Sequence, residues 1–579
     1  MSEQPKQQIE QVDNLPIIIH WLLKMQVDTI IDQTWHAHTN WHGVSYGQLS
    51  VLFITYVIHQ RNHRLSGMEQ WVKEHRIVLE QITGWSIGDK DATDDRLGRM
   101  LFVLGSDEGQ SVEFQRQLGG HLIQAYELPT EVGRYDTSSF NVHHAPSGSD
   151  EPDHELLRFG YSKDKRPDLL QFKQGLGTLD PAGMPIITRT LSGETADDGL
   201  YLGAWGEMYQ IIGHKNWLYI ADSKAAAILT RATLDHKEGH YLFPMPMTGK
   251  TPEWVREQVL NPPSNPEPIY LPGVVDKDEK PKAIGQGFVV KRTMETTLAD
   301  GTVHSWDEQW FVSQSFAHAQ RAKEGIQRRL SQTVDTLSRM RAKSEETVVQ
   351  FQQRADKVVE PKKMGDYLTV TAQETITSEK QYLKPGRPSK NSPFKLVEKC
   401  QLSLDIQINQ PALDQASQLA GWRAYVSNDK MSLSQAAVYY RGEWLVESGF
   451  HRFKGGSLPV LPLFLRIPER IIGLMLLLTV ALQALTLLEF VARRSLADQE
   501  EEIEGLVPYN PKVKTKRPTA ERMLDAFRKI HLVVVTVGTQ VVGYLSGTLT
   551  PLQLRILALL GLPDTIFDLA FSTSLQQFF

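Results

Sequence analysis

Residues 471–488, IIGLMLLLTVALQALTLL, run for eighteen positions without a formal charge. Such a segment is stable in a bilayer or at the centre of a packed core, because its side chains gain only where water is excluded. It lies at the short end of the spanning range, carries Thr479, Gln483 and Thr486, and is solitary in a chain of mean hydropathy −0.31. It therefore reads as a buried core helix, with a membrane-attached protein as the alternative. A helix apolar on all sides needs layers around it. With 579 residues, 41% of them hydrophobic and 22% charged, the chain has material for two to four domains.

A net charge of −6 argues against nonspecific coating of nucleic acid but leaves localised basic surfaces open. One such surface is the predicted helical stretch 321–343, where seven basic residues (Arg321, Lys323, Arg328, Arg329, Arg339, Arg341, Lys343) face two acids. The single cysteine, Cys400, excludes an intramolecular disulfide and a cysteine-rich zinc site. His36, His38 and His42 match no standard zinc spacing, and no Walker-type loop is present. The polar opening MSEQPKQQIEQVDN lacks a secretory pattern, so a cytoplasmic protein is expected.

Apolar spacing predicts an all-α domain over 1–128, with Ser66 and Asp94 as candidate helix caps. From residue 129 the character changes. EVGRYDTSSFNV, LLRFGYSKD and MPIITRTLS read as strands, LGAWGEMYQIIG as a helix, and NWLYIADSK as a buried strand that runs into a helix. This pattern predicts a mixed α/β sheet over 129–255. An insertion follows over 256–418, mainly β, opening with a loop over 261–287 and carrying one long helix over 316–359. GWRAYVSN reads as a strand returning to the sheet, within a closing segment 419–496. Residues 497–579 read as a charged linker and a small helical tail.

Three acids occupy distinctive places. Asp136 lies within the first strand, Asp222 ends the buried strand, and Glu447 sits in YYRGEWLVESGFHRFK, residues 439–454. Taken as one helix, that segment places Tyr440, Glu447 and Lys454 in a single row, because seven residues make almost two turns. Carboxylates within and at the end of strands are costly to bury without a cation or donors. Two Mg²⁺ ions about 3.5 to 4 Å apart would neutralise such a group and assist phosphodiester chemistry.

The ordered set RYDTSSF, FGYSKDKRPDLLQF, LSGETADD, YIADSKA, GWRAYVSN and YYRGEWLVESGFHRFK resembles bacterial insertion-sequence transposases of the DDE type, in the branch with a long insertion before the last acid. The resemblance spans residues 15–490. It implies a ribonuclease-H-like fold, Asp136, Asp222 and Glu447 as catalytic metal ligands, and two Mg²⁺ (or Mn²⁺) ions. It further implies cleavage at the ends of a mobile element, joining of the 3′ ends to target DNA, and a homodimer on double-stranded DNA with terminal inverted repeats. The family signature of Tyr, Arg, Glu and Lys is met at Tyr440, Glu447 and Lys454, but Glu443 stands at the arginine position. Arg441 is a candidate substitute for that arginine, and Lys163 and Arg166 are further candidate DNA contacts. Trp306 and Trp310 read as core residues, with base stacking as the alternative. Two other functions stay open: a noncatalytic or membrane-associated DNA-binding relative, and a nuclease without strand transfer.

Overall fold

The computed structural model describes residues 6–144, 156–161, 166–196, 199–383, 386–387, 389, 393–537 and 540–574. After strand β1 (Lys6–Gln11) come helices α1 (Leu15–Lys24), α2 (Val27–Thr34), α3 (Tyr46–Gln60), α4 (Met68–Thr83), α5 (Asp94–Gly105) and α6 (Glu108–Tyr126). Helix α3 starts at a capping box: Ser45 Oγ accepts from the Gln48 amide at 3.1 Å, and Gln48 Oε1 accepts from the Ser45 amide at 3.0 Å. The two caps expected elsewhere shift by a residue. Thr93 takes the N-cap of α5, leaving Asp94 in the first turn, and Ser66 lies in a short 3-10 turn that ends at Gly67 before α4.

The rest of the chain continues as β2 (Val132–Val142), β3 (Leu170–Leu179), β4 (Met184–Ser192), α7 (Leu200–Ile212), β5 (Leu218–Ala221), α8 (Ile228–His236), β6 (His240–Pro244), α9 (Thr251–Leu260), β7 (Glu267–Val275), β8 (Pro281–Thr297) and β9 (Val303–Ser315). Then follow α10 (Phe316–Ser338), α11 (Val348–Val359), β10 (Leu368–Tyr382), β11 (Phe394–Ile408), α12 (Gln410–Leu419), β12 (Trp422–Ser427), α13 (Leu433–Arg441), α14 (Trp444–Gly455) and α15 (Pro468–Asp498). The chain closes with α16 (Ala520–Asp525), β13 (His531–Val537), β14 (Gln540–Leu545), α17 (Pro551–Leu559) and β15 (Phe571–Ser574).

The fold is mixed α/β around a nine-stranded sheet of order β4-β3-β2-β5-β6-β12-β9-β8-β7. Strands β2, β5 and β6 are mutually parallel, and the remaining neighbours are antiparallel. Most of the insertion's strands do not form a sheet of their own. Strand β12 pairs with β6 on one edge and β9 on the other, so β9, β8 and β7 extend the central sheet. Strand β7 falls in the stretch expected as a loop. The single long helix expected over 316–359 is two helices, because Thr347 opens α11 with its own capping box to Gln350.

Of LLRFGYSKD, expected as a strand, residues 162–164 lie outside the described residues; within 156–161 it contributes an isolated bridge from Arg158 to Gln171, and the strand that pairs antiparallel with β2 is LQFKQGLGTL. Its glycines serve close packing. A Cβ on Gly175 would sit 2.2 Å from Tyr135 Oη, and one on Gly177 2.4 Å from Ile187 Cγ1. The tail expected as helical keeps helices α16 and α17 but also holds strands: β13, β14 and β15 join β1 in a four-stranded antiparallel sheet. The β-branched run VVVTV of β13 suits a half-buried pleated surface better than a helix.

Helix α15 is the one described helix long and apolar enough to cross a membrane, and 94% of its most apolar window is buried within the protein. It packs on α5 by backbone approach: a Cβ on Gly105 would lie 2.0 Å from the Glu469 carbonyl oxygen, and one on Gly473 2.1 Å from that of Leu101. Two of its buried polar residues, Thr479 and Gln483, face β4. Thr479 Oγ1 lies 3.0 Å from Thr188 Oγ1, and Gln483 Nε2 donates to the Pro185 carbonyl at 2.9 Å. Lipid offers no such partners. The buried side chains around α15 form one cluster that runs from Val12 on the amino-terminal side through the sheet to Leu569.

Candidate active site

Strand β2 is covered on both faces, and its two-residue period separates what each face meets. Gly133 and Tyr135 point toward α7: a Cβ on Gly133 would strike Met208, and the Tyr135 ring stands edge-on to Tyr201. Arg134, Asp136, Ser138 and Phe140 share the opposite face. Arg134, 2% exposed, donates to Asp180 through Nε and Nη2 at 2.7–3.0 Å, and through Nη2 to the Tyr439 carbonyl at 2.6 Å.

That last bond breaks the helix expected over 439–454. The carbonyl of Tyr439 is turned to the guanidinium, and a Cβ on Gly442 would lie 2.2 Å from Arg134 Nη2, so any larger residue there would displace the guanidinium. Tyr440 therefore belongs to α13, while Glu447 and Lys454 belong to α14. The single-helix row of three is corrected to a row of two on α14, with Tyr440 set on another axis and packed against Tyr425 at 4.5 Å between ring centroids.

Two contacts fix how α14 lies on β2. Arg134 touches Gly442 at one end, and Lys454 Nζ stands 5.6 Å from the Phe140 ring centroid at the other. Six strand residues rise about 20 Å and twelve helical residues about 18 Å, so strand and helix run alongside one another at matching length. Asp136, a third of the way from Arg134 to Phe140, thus faces the first turn of α14, where Glu443 and Glu447 stand. Leu176, its register partner on β3, confirms the alignment by packing near Gly449.

Asp222 reaches the same place along β5. The parallel ladder ends at Tyr135 and Ala221, so Asp136 and Asp222 are the next residues on adjacent strands. Asp222 Oδ1 accepts from Tyr201 Oη at 2.5 Å and from the Lys224 amide at 2.9 Å, which locks the carboxylate at the strand end. Glu443 registers the gathering electrically. Burial and the charges of Asp136, Glu447 and Asp222 raise its carboxyl above the ordinary value of 4.5, against a smaller lowering by Arg134. Burial and the neighbouring Glu443 and Asp222 charges likewise raise the Tyr440 phenol.

Of the residues singled out from sequence, Asp136 and Asp222 lie next to one another on adjacent strands, and their charges and that of Glu447, the exposed member, all bear on Glu443. Lys454 is exposed in the last turn of α14, two turns from Glu447, with Nζ toward Phe140. Arg441 is exposed at the end of α13. Arg166 is held by Asp168 in a two-point pair at 2.7 and 2.8 Å, and Lys163 lies outside the described residues. Trp306 and Trp310 are buried, each donating its indole N–H to Glu308, at 3.0 and 2.9 Å, and so present no ring for stacking on a base.

Sequence reasoning missed three groups. Glu443 was read only as a departure from a signature. Arg134 stands two positions before Asp136, and the period of a strand was enough to put both on one face. Tyr201 carries no local signal, since its link to Asp222 is tertiary. Carboxylates are hard oxygen donors of the kind Mg²⁺ or Mn²⁺ prefers. Among the described residues, no three His, Cys, Asp or Glu side chains stand within ligating distance of a common point.

Because Glu443 takes up its proton more readily folded than unfolded, its contribution disfavours the folded state as pH rises from about 4.5 through its raised value. Glu443→Gln is expected to flatten the fall in stability across that window, raising the melting temperature at pH 8 and leaving it unchanged at pH 4. An identical pH profile for variant and parent in thermal scans would contradict the placement of Glu443 among the acids.

Residues 7–112 match the model of a domain of unknown function, DUF4277, which covers α1 to α5 and their surroundings. No curated protein matches the chain. Among solved structures, the chain is similar to that described as the piggyBac transposase synaptic complex with hairpin DNA. That match has 9% identity and a TM-score of 0.34 over 90% of this chain and 82% of that one. Likeness at that level carries no argument about fold or function.

Proposed function

We propose that the chain is a transposase of the DDE type, cutting DNA at the ends of an insertion sequence and joining the 3′ ends to target DNA. The observation that carries this reading is the meeting of Asp136 and Asp222, adjacent on parallel strands, with the acidic first turn of α14. The order β4-β3-β2-β5-β6, with its parallel β2, β5 and β6, supports the ribonuclease-H-like reading of the core.

Asp136, Asp222 and Glu447 would hold Mg²⁺ or Mn²⁺, which when bound supplies Lewis acidity to the phosphodiester and its attacking oxygen. Tyr201 and the Lys224 amide keep the Asp222 carboxylate aimed. The α14 macrodipole favours negative charge at its amino end, where Glu443 and Glu447 sit. Lys454 and Arg441, both exposed, would meet phosphate oxygens of double-stranded DNA. In this reading a homodimer joins two ends bearing terminal inverted repeats, in the bacterial cytoplasm.

The test uses the full chain, Mg²⁺ or Mn²⁺, and DNA bearing the inverted repeats that bracket the reading frame. Nicks at the repeat ends, and joining of precleaved ends to a plasmid target, are expected. Cleavage without joining would favour the nuclease alternative, and no reaction with either metal would sink the proposal.

A further inference from the structure

A cavity of about 530 Å³ opens between the turn after α3 and the segment 464–470 that leads into α15. That volume falls in the range of small-ligand sites. Three arginines line it: Arg64 from the turn, Arg466 ahead of α15 and Arg470 in its first turn. Asp94, in the first turn of α5, is the one acid among the lining residues.

Arginines close by in the chain are neutralised. Arg61, three residues before Arg64, pairs with Asp525 at 2.8 Å, and Arg493, farther along α15, pairs with Glu489 at 2.8 Å. Among the described residues no carboxylate, Asp94 included, forms an ion pair with Arg64, Arg466 or Arg470. Arg470 Nε is buried and has no acceptor. Three like charges on one concave wall repel one another and focus a positive potential within it.

The packing around the arginines holds them there. The Arg64 guanidinium stands 4.7 Å from the ring centroid of Phe464, which ties the turn to the segment before α15. Gly98, inside α5, makes room for Arg470, since a Cβ there would lie 2.9 Å from its Cζ. Glycine inside a helix is unfavourable, and here its missing side chain is what admits the guanidinium. Ile467, at the N-cap of α15, offers no side-chain acceptor to the first-turn amides, so the helix start adds positive potential at the same end. The rest of the wall is partly apolar: Phe464 is 49% exposed and Ile467 38%.

Guanidinium groups meet phosphate oxygens through paired N–H donors and stay charged at any physiological pH. A half-exposed ring and an aliphatic side chain beside them suit the flat, less polar body of a nucleoside. We propose that this cavity binds a nucleotide unit, with its phosphate on Arg64, Arg466 and Arg470 and its base against Phe464 and Ile467. The unit is part of a nucleic-acid strand or a free nucleotide, and the recognition chemistry is the same for both. The proposal rests on this cavity and not on the acids of β2, β5 and α14. Its test is run without metal, so failure of one reading is distinguishable from failure of the other.

The full chain, in EDTA at low ionic strength, is titrated calorimetrically with inorganic tripolyphosphate, with ATP and with a short single-stranded oligothymidylate. Tripolyphosphate is expected to bind at one site, and ATP about tenfold more tightly because its base gains the apolar wall. Arg466→Gln with Arg470→Gln should weaken both by about a hundredfold or more, since two charge-assisted contacts are lost. Asp94→Asn should tighten tripolyphosphate binding by about threefold, because the one opposing charge is removed. Arg466→Gln alone, at an exposed position, should shift binding in the same direction as the double variant and keep the parent melting temperature. A loss that extends to the oligothymidylate assigns the site to a strand, and a loss confined to tripolyphosphate and ATP assigns it to a free nucleotide; either sustains the proposal. A parent that binds no tripolyphosphate, binding of all three probes indifferent to the arginine substitutions, or weaker binding in Asp94→Asn would each overturn it.

Discussion

Asp222→Asn is expected to lower metal-dependent DNA cleavage by about a thousandfold or more, the scale on which loss of a group that stabilises transition-state charge is felt. The substitution is chosen because asparagine keeps what Asp222 does structurally. Its amide oxygen still accepts from Tyr201 Oη and from the Lys224 amide, so the turn after β5 keeps its cap. Only the negative charge is lost. Parent and variant should therefore share a melting temperature in the absence of metal, while Mg²⁺ raises it less in the variant. Activity that survives in Asp222→Asn would remove the basis for the assignment of Asp136, Asp222 and Glu447.

The largest effect on stability is expected at the junction between the parallel strands and the insertion. Glu308 on β9 is fully buried and receives Arg231 from α8 as an ion pair, Tyr241 Oη from β6 at 2.5 Å, and the indoles of Trp306 and Trp310. Arg231 also donates through Nε to the Ala226 carbonyl at 2.9 Å. Arg231→Ala leaves a carboxylate out of water without its counter-ion and should cost about 3–5 kcal/mol in chemical denaturation. Replacing both charges, by Arg231→Met with Glu308→Met, should cost less than the two single substitutions summed, because neither partner is then stranded. A loss under about 1 kcal/mol for Arg231→Ala would show that water or another cation reaches Glu308.

Much of the site was legible in residues 132–142, 218–222 and 444–455, because burial imposes patterns on neighbours. YIA before Asp222 is apolar since β5 is covered on both faces, and the helical spacing of α14 follows from its packing on β3 and α15. Strand β3 was overlooked because Gly175 and Gly177, needed for the close approach of Tyr135 and Ile187, remove the β-branched signal. The row from Tyr440 to Lys454 was misread as one helix for a related reason. Nothing local announces that Arg134, more than three hundred residues earlier, takes the Tyr439 carbonyl at Gly442.

The uncharged run at 471–488 is the same kind of signal at full strength. Its composition required a surround without water, and the pairing of Thr479 and Gln483 with β4 identifies that surround as protein. Local composition and period are enough for helices, buried strands and the acids they carry, since each of these obeys a short-range rule of packing or hydrogen bonding. Which strand neighbours which, that β7 to β9 extend the central sheet, that the carboxy-terminal strands recruit β1, and that Glu443 joins the acids, all depend on contacts between residues far apart in the chain. Such contacts leave no period to read, because the partner that satisfies each group is supplied by another element.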